Sequence, residues 1–122
     1  MKIKTSELTG EALDACVRLC VERDAGLHSA LKIFTAARLK HPSTDWAQGG
    51  PIIEREQIGI DAMPTYVGGV PGVVWTATAP MTSEPGRELM LSEHGPTPLI
   101  AAMRCYVASK LGDKVEVPDE LV

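Results

Sequence analysis

Residues 95–113, GPTPLIAAMRCYVASKLGD, constrain the fold of this chain more than any other segment. Thr97 is a natural N-cap. Pro98 suits the first helical position, where its missing N–H leaves nothing unpaired, and Gly112 is a stop signal. Leu99, Met103, Tyr106 or Val107, and Leu111 recur on one helical stripe. A stripe of this kind has to be buried against another element. With only Phe34, Trp46, Tyr66, Trp75 and Tyr106 as aromatics, the core rests mainly on Leu, Ile, Val, Ala and Met.

A second helix is predicted in SELTGEALDACVRLCVERD. Leu13, Cys16, Val17 and Cys20 follow i, i+3, i+4 and i+7 spacing, with Ser6 or Thr9 as cap and Gly26 just past the end. Asp14, Arg18 and Glu22 then occupy the flank facing water. Residues 27–40 read either as a helix (Leu27, Leu31, Phe34, Arg38) or as a strand face (Leu31, Ile33, Thr35). Their alanines favour helix.

A third helix is expected over residues 44–57, in STDWAQGGPIIERE. Ser43 or Thr44 would cap it, and Asp45 would complement the helix dipole in the first turn. Trp46, Gly50 and Ile53 would share a face. Pro51 removes one backbone bond and crowds the carbonyl of Ala47, so a kink, or a break and restart, is expected at Gly49-Gly50-Pro51.

Beyond Gly59 the pattern changes to strands. VPGV at residues 70–73 and EPGR at residues 84–87 match the type II turn, with proline at i+1 and glycine at i+2. Between them, Val73, Trp75, Ala77 and Ala79 alternate with Val74, Thr76 and Thr78. RELMLSE alternates in the same way, which predicts an antiparallel hairpin, extended to a three-strand meander if MPTYVGG joins. Residues 2–5 suit a short edge strand and KVEVP a short last one. The whole is an α+β domain, residues 1–122, with a small antiparallel sheet packed with three or four helices.

Charge and cysteine usage exclude several classes. The net charge is −4 and no basic cluster stands out, which disfavours nucleic-acid binding. No apolar leader and no run of about eighteen apolar residues is present, so neither a signal peptide nor a membrane span is expected. The odd, widely spaced cysteines Cys16, Cys20 and Cys105 form no disulfide framework and suit reduced thiols in a cytoplasm. Cys16 and Cys20 are simplest as small core residues, because no tight second pair of ligands accompanies them. No metal, cofactor or catalytic residue is assigned, and no G-x-S-x-G occurs.

Two phrases, PSTDWAQGGPIIERE and GPTPLIAAMRCYVASKLGDKVEVPDEL, closely resemble signature stretches of the phage-encoded NinX family. The opening KIKTSELTGEALDACV is similar to that family's start. Together they cover about half the chain, in the family's order. The resemblance implies a small accessory protein of tailed phages and prophages, made in the host cytoplasm, with an α–β–α layered arrangement. It carries over no catalytic residues.

Two functions remain in view. The first is a non-enzymatic interaction module that binds a host or phage protein or pairs as a homodimer. The second is a small ligand-binding domain or enzyme whose site gathers Asp45, Trp46, Gln48, Gly49, Gly50, Glu54 and Arg104. In that site Gly49 and Gly50 would form an anion-binding nest. The simpler reading gives the glycines to close packing, Trp46 to the core, Arg104 to an ion pair with Asp45 or Glu54, and Trp75 to the gap between sheet and helix.

Overall fold

Helix α3, Pro98–Leu111, has almost no side open to water. Leu99, Ala101, Ala102, Met103, Cys105, Tyr106, Val107 and Ala108 are all buried. A helix apolar all round occupies the middle of a fold, and the other elements are arranged as its cover. The computed structural model describes residues 1–25, 39–80 and 90–121. In chain order these hold β1 (Lys2–Lys4), a 3₁₀ turn (Thr5–Glu7), α1 (Gly10–Ala25) and α2 (Trp46–Glu56). There follow β2 (Gly59–Val67), β3 (Val70–Pro80), β4 (Met90–Gly95), α3, and β5 (Lys114–Glu116), then a last 3₁₀ turn (Asp119–Leu121). The chain is α+β. The ambiguous segment 27–40 falls mostly outside the described residues, and so does the EPGR turn.

The three-strand meander is present in the order β2-β3-β4, and all its pairings are antiparallel. Ala77 and Ala79 are buried on the face turned to α3, opposite Glu93 and Leu91. Trp75 on that face is half-buried against the core, as its mid-strand position suggested. The helices α1 and α2 pack chiefly on α3 and not on the sheet. Among the described residues the layering is therefore sheet, α3, α1, and not α–β–α. The strands β1 and β5 pair separately, Ile3 with Val115, and close the end of the domain.

Three local expectations are corrected. The hairpin turns at Gly68-Gly69, not at VPGV, because both glycines take positive φ (60° and 80°). Positive φ at both central positions gives the primed turn whose twist matches a two-residue hairpin, whereas a type II turn does not. Pro71 and Gly72 thus lie inside β3, opposite Tyr66 and Thr65. On α1, the stripe Leu13, Cys16, Val17 and Cys20 is buried as expected, but so is Asp14. Its Oδ1 accepts the Ser43 N–H at 2.9 Å, and Arg18 donates to the carbonyls of Leu39 and Lys40 at 3.0 and 3.2 Å. Of that flank, Asp14 and Arg18 fasten the loop that enters α2, and Glu22 is left facing solvent.

The third correction concerns the cap and buried face of α2; of the two outcomes expected at Pro51, the break and restart does not occur, and one helix runs through with Pro51 inside it. Asp45, not Ser43 or Thr44, is the N-cap: its Oδ1 accepts the Ala47 N–H at 2.9 Å. Gly49 and Ile52 face inward, and Trp46 is 53% exposed instead of core-bound. Gly49 does serve packing, since a Cβ there would stand 2.4 Å from the Pro42 carbonyl oxygen and 2.5 Å from Leu99 Cδ1. At Gly50 a Cβ would meet nothing within 4 Å beyond its own turn of helix and its chain neighbours.

Paired substitutions test this division. Gly49→Ala is expected to destabilise by about 1–3 kcal/mol through overpacking. Gly50→Ala is expected to shift stability by less than about 1 kcal/mol, since the better helix former is offset by crowding of its Cβ against the ring of Pro51. Urea unfolding of the two variants beside the parent reads both effects. Equal shifts in the two would refute the assignment.

Candidate functional site

The residues singled out from sequence do not converge on one place. Asp45, Gln48 and Gly49 meet at the start of α2. Asp45 Oδ2 accepts from Gln48 Nε2 at 3.0 Å, and Gln48 Oε1 accepts the His41 N–H at 2.8 Å. Both carboxylate oxygens and the amide are thus engaged in holding the helix entry. Trp46 stands beside them, over a cleft of about 210 Å³ also lined by Ser43, Thr44, Thr97, Pro98, Leu99 and Ile100. Gly50 is open, and Glu54 is exposed further along the helix.

Arg104 goes elsewhere. Its Nε donates to the Leu8 carbonyl at 2.7 Å and one terminal nitrogen donates to the His94 carbonyl at 2.9 Å. The expected pair with Asp45 or Glu54 is not made, because Arg104 lies on the side of α3 that faces β4 and the first 3₁₀ turn. The residue that crosses from α2 to α3 is Arg55, whose guanidinium donates to the buried Tyr106 hydroxyl at 3.3 Å. Lys110 joins this contact, with Nζ 5.9 Å from the Tyr106 ring centroid and 3.6 Å from Glu56.

Around Arg104 lies a shallow groove of about 420 Å³, lined by Ser6, Val73, Val74, Glu93, His94, Gly95 and Pro96 as well. Burial pushes the Glu93 carboxyl above the usual carboxylate range, against the opposing pull of His94 and Arg104. Behind it, Cys105 is fully buried, its thiol donating to the Leu91 carbonyl at 3.5 Å. Desolvation, aided by Glu93, raises the Cys105 pKa to about 12, so this thiol stays protonated and unreactive at ordinary pH. Cys16 and Cys20 are likewise buried.

The larger surface feature was missed in the sequence. The outer half of the β2–β3 hairpin extends beyond β4, which pairs only with Trp75 to Pro80. On this two-stranded ribbon Met63, Tyr66, Val67, Val70 and Val73 are exposed, Tyr66 to 76% and Val67 to 78%. After Asp61 no charged side chain occurs until past Pro80. That long uncharged run was the available signal, and reading VPGV as a turn concealed it by shortening both strands.

Glu93 provides a pH test. Its raised native pKa means that the folded state holds this proton more tightly than the unfolded chain does. The associated stability is complete below the ordinary carboxylate pKa and is lost as pH rises through the raised value. Glu93→Gln should therefore increase the thermal stability near neutral pH, and the gain should vanish in acid. A variant equally stabilised at both pH values would contradict this.

The model of the family described as "Bacteriophage P22, NinX" matches residues 4–110. No curated protein matches the chain.

Proposed function

We propose an interaction role for this chain, which belongs to the bacteriophage NinX family. It is a phage accessory protein that docks, through the β2–β3 ribbon, on a protein made by the phage or its host, in the host cytoplasm. The observation that carries this reading is the ribbon's outer face. Met63, Val67 and Val70 share that face by their register and are 47%, 78% and 68% exposed. Exposed strands ordinarily carry lysine or other charges against unwanted contacts. An apolar surface kept without them marks a site of association. Three buried free cysteines suit a reducing compartment, and no helix among the described residues is long and apolar enough to cross a membrane.

A second reading keeps a small-ligand site at the cleft beside Trp46, with Asp45, Gln48, Gly49 and Gly50 at its edge. It is favoured by the buried Ser43 hydroxyl, which has no hydrogen-bond partner among the described residues. A ligand seated there would change Trp46 fluorescence in a metabolite screen, and unchanged emission throughout would retire the idea.

The interaction reading is tested by affinity capture from phage-infected cells. The tagged chain is expected to recover one stoichiometric protein, and Val67→Asp/Val70→Asp is expected to reduce its recovery at least tenfold without loss of fold. If that variant retains whatever the parent captures, the ribbon is not the docking surface.

A further inference from the structure

The cleft beside Trp46 is walled by the starts of two helices. Ser43 and Thr44 lead into α2, Trp46 opens it, and residues 97–100 are the cap and first turn of α3. The Pro42 carbonyl oxygen and Leu99 Cδ1 both stand within 2.5 Å of where a Gly49 Cβ would be, so the two starts are in contact.

A helix start leaves amides that its own turns cannot satisfy, and here most of them are accounted for. In α2, Asp45 Oδ1 accepts from Ala47, and the Asp45 carbonyl accepts from Gln48 and Gly49. In α3, Pro98 has no N–H, Thr97 Oγ1 accepts from Ile100, and the Thr97 carbonyl accepts from Ala101. One amide is left at each start, that of Trp46 and that of Leu99, with no acceptor among the described residues. The Ser43 hydroxyl is a third such donor. Ser43 is 1% exposed, its backbone N–H is fixed by Asp14, and its hydroxyl has no partner among the described residues. All three donors belong to residues that line the cleft. Buried polar groups are ordinarily satisfied, so a set left open around one cleft points to a ligand that accepts from it.

Electrostatics sets the charge of that ligand. Both helices turn the positive end of their dipole to the cleft, and neither has an acidic residue in its first turn. Asp45, at the cap, offsets the end of α2, with its two oxygens engaged by Ala47 and Gln48. The end of α3 is capped by the neutral Thr97 and has no such offset. This balance suits one negative charge and not the near-double charge of a phosphate. The remaining wall is apolar, formed by Trp46, Pro98, Leu99 and Ile100. A volume of about 210 Å³ is below that of drug-sized sites, so only a short apolar group fits.

We infer that the cleft binds a carboxylate borne on a small apolar group. The carboxylate accepts from the Ser43 hydroxyl and the Trp46 and Leu99 amides, and the apolar group lies against Trp46, Pro98 and Ile100. The inference rests on the small-ligand reading of this cleft and is independent of the docking role of the ribbon. Two sources share this chemistry, a free short-chain acid and the C-terminus of a polypeptide that ends in an apolar residue.

Amide NMR titration of the full chain with isovalerate tests this, beside isovaleramide, inorganic phosphate and N-acetyl-alanyl-leucine. Isovalerate is expected to move the Trp46 and Leu99 amide signals, with isovaleramide and phosphate weaker by about tenfold or more. Ser43→Ala is expected to weaken isovalerate by about tenfold while raising the thermal midpoint of the free chain by roughly 4 °C, because it removes an unsatisfied buried group. A serine with a structural role alone does not give those opposite effects. Tighter binding of the dipeptide assigns the carboxylate to a chain end, and tighter binding of isovalerate assigns it to a free acid. Amide signals unmoved up to tens of millimolar, isovaleramide that binds as well as the acid, or a Ser43→Ala chain less stable than the parent each overturn the inference. If an uncharged metabolite alters Trp46 emission while the carboxylates move neither amide, the small-ligand reading stands and the carboxylate assignment alone falls.

Discussion

Helix α3 is covered on nearly every side, and the fold follows from that. Eight of its side chains from Leu99 to Ala108 are buried. Their apolar surface is removed from water only if a sheet covers one side and helices cover the other. The small side chains at Ala101 and Ala102 let the sheet come close. A Cβ added at Gly95 on β4 would lie 2.7 Å from the Ala101 backbone nitrogen. The stripe of α1 covers the opposite side, and Gly49 lets α2 approach Leu99.

Charged groups near this core share a task. Asp14 holds the Ser43 amide, Arg18 holds the carbonyls of Leu39 and Lys40, and Arg104 holds those of Leu8 and His94. Most of these backbone groups, at Leu8, Leu39, Lys40 and Ser43, belong to connections outside regular structure, where no ladder or helix can satisfy them; the His94 carbonyl lies near the end of β4. The ionic residues that first suggest chemistry are in this way fasteners of loops. The large apolar side chains left facing outward are gathered chiefly on the ribbon.

The elements legible in the sequence were those fixed by local rules. The caps and stripe of α3, the stripe of α1, the alternation of β3 and the two short terminal strands were all readable from neighbouring residues. What stayed hidden depends on long-range placement. Nothing local to Asp14 shows that the Ser43 amide will reach it, and nothing near Arg104 shows that Leu8, far away in sequence, will supply its acceptor. Trp46 was misread for a subtler reason. The buried side of α2 is fixed by the approach of Gly49 to Pro42 and Leu99, which buries Gly49 and Ile52, leaves Ile53 partly covered and turns Trp46 outward. The turn was misread because VPGV and VGGV overlap in sequence, and strand twist decides between them. The candidate site fared worst of all, since it joined residues from α2 and α3 whose side chains point to different neighbours.

The position of α3 in the chain also governs when the protein can fold. The helix around which everything packs is nearly the last element to be made, and β1 has no strand to pair with until β5 follows it. A nascent chain carrying α1, α2 and the hairpin holds apolar faces with nothing yet to cover them. Folding is therefore a concerted event that waits for α3 and β5, dominated by contacts between distant parts of the chain. Until then the first-made segments keep their apolar faces open to chaperones and proteases.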